Sequence, residues 1–257
     1  DVTSLTATVA QYGYFLRISD VLDLTAVDNV IVEATQLLGS QAGVTMDTVV
    51  RNQLVAGNNV LFCPTVSSGA ETAVTQRKDM NTTSQLTVKM IQKAATLLKN
   101  NNVPDFDGCY VAIIHPSVAY DLKRDPEWVN AHQYAQPENL FTGEIGKIAG
   151  VRFVETTEAK VWNDSDCPVK TAAANSNPAV YYSVFATLVL GKNAYGVTEV
   201  TGGGLQTIVK PKGSGGTADP LDQRSTVGWK GIRTAKVLLE QNMVRIESVS
   251  AEWSGTV

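Results

Sequence analysis

The stretch Thr25–Ala56 constrains this chain more than any other, because it reads as one long amphipathic helix. Val27, Val30, Ile31, Ala34, Leu37, Leu38, Ala42, Met46 and Val49 recur at helical spacing and share one face. Thr25 is a candidate N-cap, with Asp28 three residues on to complete a capping box at the positive helix end. Gly57 supplies a residue that closes a helix in the left-handed conformation. Such a rod is roughly 45 Å long at 1.5 Å per residue, against an average helix of about 11–12 residues. A helix of that length acts as a spine or an assembly edge, unless it bends or breaks near Gly39-Ser40 or Gly43.

The segment before it alternates. Val2, Leu5, Ala7 and Val9, then Tyr12, Tyr14, Leu16 and Ile18, give strand periodicity with a slip near Gly13. Asp1–Ser19 is too long for an ordinary strand and reads as an extended arm or half a hairpin. Either a later segment pairs with it or its partner lies outside the chain. A start at Asp1 without Met reads as a fragment, a processed chain or the ordered part of one.

After the long helix, Gly57–Thr83 is rich in Gly, Ser, Thr and Asn and reads as a connection with brief extended pieces. A second helix runs over Thr87–Lys99, with Met90, Ile91, Ala94, Leu97 and Leu98 on one face. Tyr110–Ile114 is a compact apolar strand, and His115-Pro116 turns it into a short helix, Ser117–Lys123, followed by another to about Gln133. Val151–Val154 is the next strand, and Trp162–Asn177 a polar surface loop. Ala179–Leu190 is ambiguous between strand and helix; Tyr195–Val200 and Leu205–Val209 are strands; Lys212–Leu221 is a Gly-rich loop. Val227–Leu239 and Met243–Val249 read as two antiparallel strands joined by a turn at Glu240–Asn242. The order is α+β, not a regular βαβ series.

The 257 residues, 44% hydrophobic, suffice for one large core or two coupled subdomains. The net charge is −4 and no basic run occurs, so nucleic acid is not an evident ligand. No apolar run approaches the ~20 residues of a membrane span. Cys63, Cys109 and Cys167 are odd in number and widely spaced; they read as free thiols of a reducing compartment, with one disulfide as the alternative.

Catalytic signals are weak. His115 stands at a strand-to-helix corner, where capping or packing is its expected job, and His132 lies in a polar helix. Asp105, Asp107 and Asp121 are close in sequence, but a calcium loop needs a bidentate Glu at an offset where none stands. Gly191–Gly196 mimics the start of a phosphate loop and lacks the following Lys and Ser or Thr. Tyr12, Tyr14 and Phe15 beside Arg17 have the makings of a base-stacking platform, but no neighbouring Lys or Arg surrounds them in sequence, so a protein partner or core contact is expected instead. No cofactor and no metal is expected.

Several strings are more specific taken in order. They are Gln11-Tyr12-Gly13 leading to Ile18-Ser19-Asp20, the helix opening Leu24–Asp28 through Glu33-Ala34-Thr35, and Tyr110–Pro116. Leu140–Thr156, Leu190–Gly196, and Asp219–Gln223 with Gly228-Trp229-Lys230 complete the set. This order resembles the major capsid proteins of phage N-four and its tailed-phage relatives. The resemblance implies an HK-ninety-seven-like fold with a long spine helix, a peripheral domain, an axial domain and an extended loop. It also implies boundaries: 1–23 as the returning strand of the extended loop, 24–102 as the peripheral domain, 103–200 as the axial domain and 201–257 as the return. The second helix, Thr87–Lys99, would pack beside the spine. Family members carry an N-terminal arm and an outgoing loop strand ahead of the part matched here, and no Lys, Asn and Glu in this sequence are identified for the autocatalytic crosslink of one branch.

The function so implied is structural and non-enzymatic: a subunit that self-assembles into hexamers and pentamers of an icosahedral head enclosing double-stranded DNA. Its partners would be copies of itself, with portal, scaffold or decoration proteins as further ones, packaged DNA held only weakly, and no membrane. It would reside in the virion head shell, assembled in the host cytoplasm. Tyr12, Tyr14, Phe15, Arg17, Asp47 and Arg51 are the expected inter-subunit contacts. Two other readings stay open: the shell protein of an encapsulin-type nanocompartment, and a metal-assisted hydrolase using Asp105, Asp107 and His115.

Overall fold

A computed structural model of the chain describes residues 4–25, 29–135, 146–171, 180–198 and 202–250. The chain divides into two compact units, Asp1–Gln53 with Gly196–Lys236, and Leu54–Tyr195 with Val237–Val257.

In chain order the first elements are strand β1 (Ala10–Ser19), the short helix α1 (Asp20–Thr25) and the long helix α2 (Val30–Val55). Strand β2 (Val60–Phe62), the small hairpin β3 (Thr65–Ser67) and β4 (Ala70–Thr72), and helix α3 (Val88–Asn100) follow. Next come β5 (Tyr110–Ile114), α4 (Pro116–Lys123) and α5 (Pro126–Ala135). The strands β6 (Lys147–Ile148), β7 (Val151–Glu155), β8 (Val161–Trp162), β9 (Val169–Thr171) and β10 (Val180–Tyr181) lead to β11 (Val184–Leu190). The chain ends with β12 (Tyr195–Val197), β13 (Gln206–Lys210), β14 (Arg224–Arg233), β15 (Ala235–Val237) and β16 (Met243–Val249).

In the first unit a sheet of order β1-β14-β13 lies on the spine helix. The partner of the leading strand is therefore a later segment of the same chain: β1 pairs antiparallel with β14 over its whole length, from Ala10↔Arg233 to Ser19↔Arg224. Of the two pairings the sequence left open, a later segment of the same chain is the one found for Ala10–Ser19. The alternation sets two faces. Ile18, Val227 and Trp229 point inward and bury against Ala34, Leu38, Ala42 and Met46, with Tyr12 and Leu16 packed beside them. The Trp229 indole N–H donates to Gln41 Oε1 at 2.7 Å, so the one polar atom of that ring is satisfied in the helix–sheet layer.

The spine is continuous through Gly39 and Gly43. Its ends differ from expectation. Thr25 closes α1, its hydroxyl donating to the Val21 carbonyl at 2.8 Å, and so it is no N-cap of the spine. Val27 and Asp28 lie outside the described residues. Asn29 Oδ1 instead accepts the Val32 N–H at 3.4 Å, and Glu33 stands in the first turn near the positive helix end. Gly57 is not left-handed. The Arg245 guanidinium terminates the helix, donating from Nη1 to the carbonyls of Val55 and Gly57. The buried face is also narrower than the sequence pattern implied: Ala34, Leu38, Ala42, Met46, Val50 and Leu54 form one i+4 ridge, while Leu37 is 66% exposed. A three-stranded sheet covers one ridge of a helix, and Leu37 lies about 100° around from Leu38.

The second unit is built on a sheet of order β2-β16-β11-β5-β7-β6, with β8 also paired to β11. Every residue of β11 is buried, since β16 and β5 flank it; this resolves Val184–Leu190 as strand and explains its lack of alternation. Helix α3 buries Met90, Ile91, Ala94 and Leu98 in this unit's core, with Ile114, Leu122, Phe185 and Ile246. Helix α3 thus contributes to the core of the second unit, and the division between the two compact units falls after Gln53. The late strands are likewise not a hairpin. β14 lies between β1 and β13, whereas β16 lies between β2 and β11. Each is a central strand of its own sheet, with neighbours on two sides.

Candidate assembly surfaces

The outward face of the β1-β14-β13 sheet carries Phe15, Gly228 and Ile208 in one cross-strand row, and Arg17, Thr226 and Lys210 in the row two residues along. Lys230 and Arg224 lie further out on β14 at the same parity. Phe15 is 60% exposed, Ile208 is exposed, and the four cations Arg17, Lys210, Arg224 and Lys230 are exposed as well. Their cations come from three segments distant in sequence, so no basic run announces them. A shallow trough of about 340 Å³ runs over the row, lined in part by Phe15, Ile208, Lys210, Thr226 and Gly228.

At one end of the same sheet, beyond the Ser19↔Arg224 pair, stands an apolar acidic tip. Helix α1 has no buried residue: Leu24 is 80% exposed, and Val21 and Leu22 are exposed with it. Leu221, 73% exposed, sits in the adjoining loop between Asp219 and Asp222. The tip is held in shape. The Asp20 N–H donates to the Gln223 carbonyl at 2.9 Å, Lys212 Nζ to Asp23 at 2.9 Å, and the Arg224 N–H to Asp219 Oδ2 at 2.9 Å.

The expected contact residues divide. Tyr14, Phe15 and Arg17 are exposed on β1, and Asp47 is exposed on the spine. Tyr12 packs against the helix–sheet core, and Arg51 is half-buried, its Nη2 donating to Asn52 Oδ1 at 3.3 Å. The exposed tip residues Val21, Leu22, Leu24 and Leu221 were missed. No clear signal marks them in the sequence, since Val21 and Leu24 at i and i+3 could share a buried helix face; their exposure is seen only in the structure.

The residues of the hydrolase reading do not converge. Asp107 and Gly108 occupy left-handed positions of a tight turn, closed by Phe106 N–H to the Cys109 carbonyl at 2.8 Å and the reverse bond at 3.1 Å. His115 is the N-cap of α4: its Nδ1 accepts the Ser117 N–H at 3.1 Å, and its ring tilts onto Phe185 at 4.9 Å. Burial lowers its pKa, with the nearby Glu155 opposing. Among the described residues no three His, Cys, Asp or Glu side chains gather as metal ligands. The side chain of His132 lies outside the described residues, as does the Leu140–Ile145 part of the resembling strings. All three cysteines are buried free thiols; desolvation pushes Cys63 up strongly and Cys167 up to about 11, so neither is a thiolate nucleophile near neutrality.

The pattern of a family described as phage capsid protein matches residues 16–230. No curated protein matches the chain. Among solved structures, the capsid of cyanophage P-SCSP1u aligns with a TM-score of 0.63 at 16% identity, over 95% of this chain and 77% of that one. The capsid of Helicobacter pylori bacteriophage KHP30 aligns with a TM-score of 0.64 at 13% identity, over 94% and 75%. The holo-SrpI encapsulin complex of Synechococcus elongatus PCC 7942 gives 0.54 at 9% identity, over 97% and 77%. At these identities the likeness is one of fold, and the fold is the HK-ninety-seven-like one.

Proposed function

This chain belongs to the phage capsid protein family, and from that premise we propose that it is the major subunit of an icosahedral head, self-assembled as hexamers and pentamers around double-stranded DNA. The observation that supports this most directly is the surface the first unit leaves uncovered. A spine helix and a three-stranded sheet bury one layer of side chains and leave Phe15, Leu24 and Leu221 in water. Exposed large apolar groups rimmed by charge are the mark of a protein that completes its surface with other copies. The first unit reads as the peripheral domain and the second as the axial domain. Tyr14, Phe15, Arg17 and Asp47 are available as inter-subunit contacts, with Tyr12 and Arg51 supporting them from within. The role is structural, without catalysis. Portal, scaffold or decoration proteins are further partners, and the overall charge of −4 favours only weak contact with packaged DNA. Assembly takes place in the host cytoplasm; no described helix is long and apolar enough to cross a membrane.

Electron microscopy of the purified full-length protein tests this: closed icosahedral shells are expected, and a monomer that persists at high concentration overturns it. The encapsulin likeness supports a second reading, a nanocompartment shell. Shells that co-purify with a cargo protein and no DNA favour that one.

A further inference from the structure

We propose that the first unit joins copies of this chain head to tail: the acidic apolar tip of one copy docks on the basic outward face of the β1-β14-β13 sheet of the next. This rests on the capsid reading and specifies a contact within it.

The two surfaces are complementary in both charge and apolarity. The face has an apolar centre, Phe15 and Ile208, flanked by Arg17 and Lys210 on one side and Lys230 on the other. No acidic residue lies at that parity on any of the three strands. The tip offers Leu24, Leu221 and Val21 beside Asp20, Asp219 and Asp222. An apolar centre with a charged rim is the anatomy of a protein interface; phosphate binding alone would not call for the exposed Phe15 and Ile208.

The face is also shaped to receive a side chain. A Cβ on Gly228 would come within 2.9 Å of the Phe15 Cβ and 3.0 Å of the Tyr14 carbonyl oxygen, so that position holds none. The strand between Phe15 and Ile208 therefore forms the floor of the trough. The tip, for its part, is pre-organised by the Asp20–Gln223 and Lys212–Asp23 contacts, which lowers the ordering cost of docking.

The contact must be between copies. The Phe15 row lies four residue pairs inside the sheet from the Ser19↔Arg224 end where the tip begins, and the strands between are paired without a break. The tip therefore cannot fold back on its own face. Joining two different patches is a heterologous contact, the kind that propagates into rings and closed shells.

The test uses the full-length chain, whose wild type must first form shells; if it does not, the capsid reading fails and this contact is moot. Given shells, Arg17→Glu with Lys210→Glu should lower assembly at least tenfold by light scattering, with an unchanged circular dichroism spectrum. Adding Asp20→Lys and Asp222→Lys in the same chain should restore it. Independently, a copy carrying Leu24→Cys and a copy carrying Phe15→Cys should form a disulfide dimer only when mixed; the native cysteines are all buried. Shells of normal yield from the Arg17→Glu, Lys210→Glu variant overturn the proposal, as does the absence of the mixed crosslink in intact shells. A variant that assembles normally but loses binding to a duplex DNA probe overturns it in favour of a nucleic-acid face.

Discussion

Arg77 meets Glu247 with two nitrogens, Nε donating to Oε2 at 2.7 Å and Nη2 to Oε1 at 2.9 Å. The Glu247 side chain is 0% exposed, in the middle of β16, and Arg245 Nε donates a third hydrogen bond to Oε1 at 3.0 Å. The Arg77 guanidinium also covers the ring of Trp162, 3.9 Å from its centre. One carboxylate therefore fixes the long connection between β4 and α3 onto the central sheet. Through Arg245, which also holds the last carbonyls of the spine helix, it links that sheet to the helix end. Burial opposes the charge on both arginines; Glu247 overcomes it for Arg77, whose pKa is raised, and not for Arg245, whose pKa is lowered.

Glu247→Ala is expected to cost about 3–5 kcal/mol, because it leaves two half-buried guanidinium groups without their carboxylate partner. Arg77→Lys should lose much of the same stability, since an ammonium can neither bridge two oxygens nor stack on Trp162 in the same geometry. Urea unfolding of the unassembled chain reads both. A loss below about 1 kcal/mol for Glu247→Ala would mean the cluster is solvated and exerts no hold on the connection.

Asp125 caps two helices at once. Its Oδ2 accepts the Val88 N–H at the start of α3, and its Oδ1 accepts the Glu127 N–H at the start of α5, both at 2.9 Å. Thr87, the residue in the cap position of α3, makes no side-chain cap bond. Asp125→Ala should cost about 2 kcal/mol, the sum of two caps of about 1 kcal/mol each. Asp125→Asn keeps a single carbonyl oxygen and should fall between the two. Equal losses for Ala and Asn would show that both bonds act as one unit.

Elements whose signal is local were readable from the sequence. The spine, α3, the strand Tyr110–Ile114 and the His115 cap all follow from periodicity and from residues within one or two turns. What was hidden is pairing at long range. Alternation in Tyr12–Ile18 says which residues share a face, and nothing in it names Arg224–Arg233 as the strand opposite. The same limit concealed the basic face: Arg17, Lys210 and Lys230 are unremarkable singly and become neighbours only once β1, β14 and β13 are in register. Asp125 shows it for capping, since it lies next to α5 in sequence but 37 residues from Val88. Leu37 shows the converse error: the pattern assigned it to the core, but a single sheet covers only the Ala34–Leu38–Ala42–Met46 ridge.

His115 makes stability depend on pH. As acceptor of the Ser117 N–H it must be unprotonated at Nδ1, and burial lowers its pKa below the ordinary 6.5. The unfolded chain thus takes up the proton first as pH falls. The histidine's contribution is complete above pH 6.5 and is lost as pH falls from there through the lower folded value. His115→Asn retains a capping oxygen and cannot titrate, so its melting temperature should decline less than that of the wild type below pH 6.5. Parallel declines would assign the acid sensitivity to other groups.

Gly39 and Gly43 sit on the exposed side of an unbroken helix, and a Cβ at either would meet nothing within 4 Å. Neither has a left-handed backbone, so neither needs to be glycine for its own conformation. Alanine in a helix interior is favoured over glycine by about 0.5–1 kcal/mol, largely because the unfolded glycine is freer. Gly39→Ala with Gly43→Ala should therefore stabilise the unassembled chain by about 1–2 kcal/mol, read as a higher urea midpoint at unchanged slope. Assembly separates two reasons for the glycines. If the doubly substituted chain forms shells as well as the wild type does, the glycines are tolerated losses of helix stability on a free face. If it is more stable yet assembles poorly, this side of the spine is approached closely by another copy, and the missing side chains are what allow that approach.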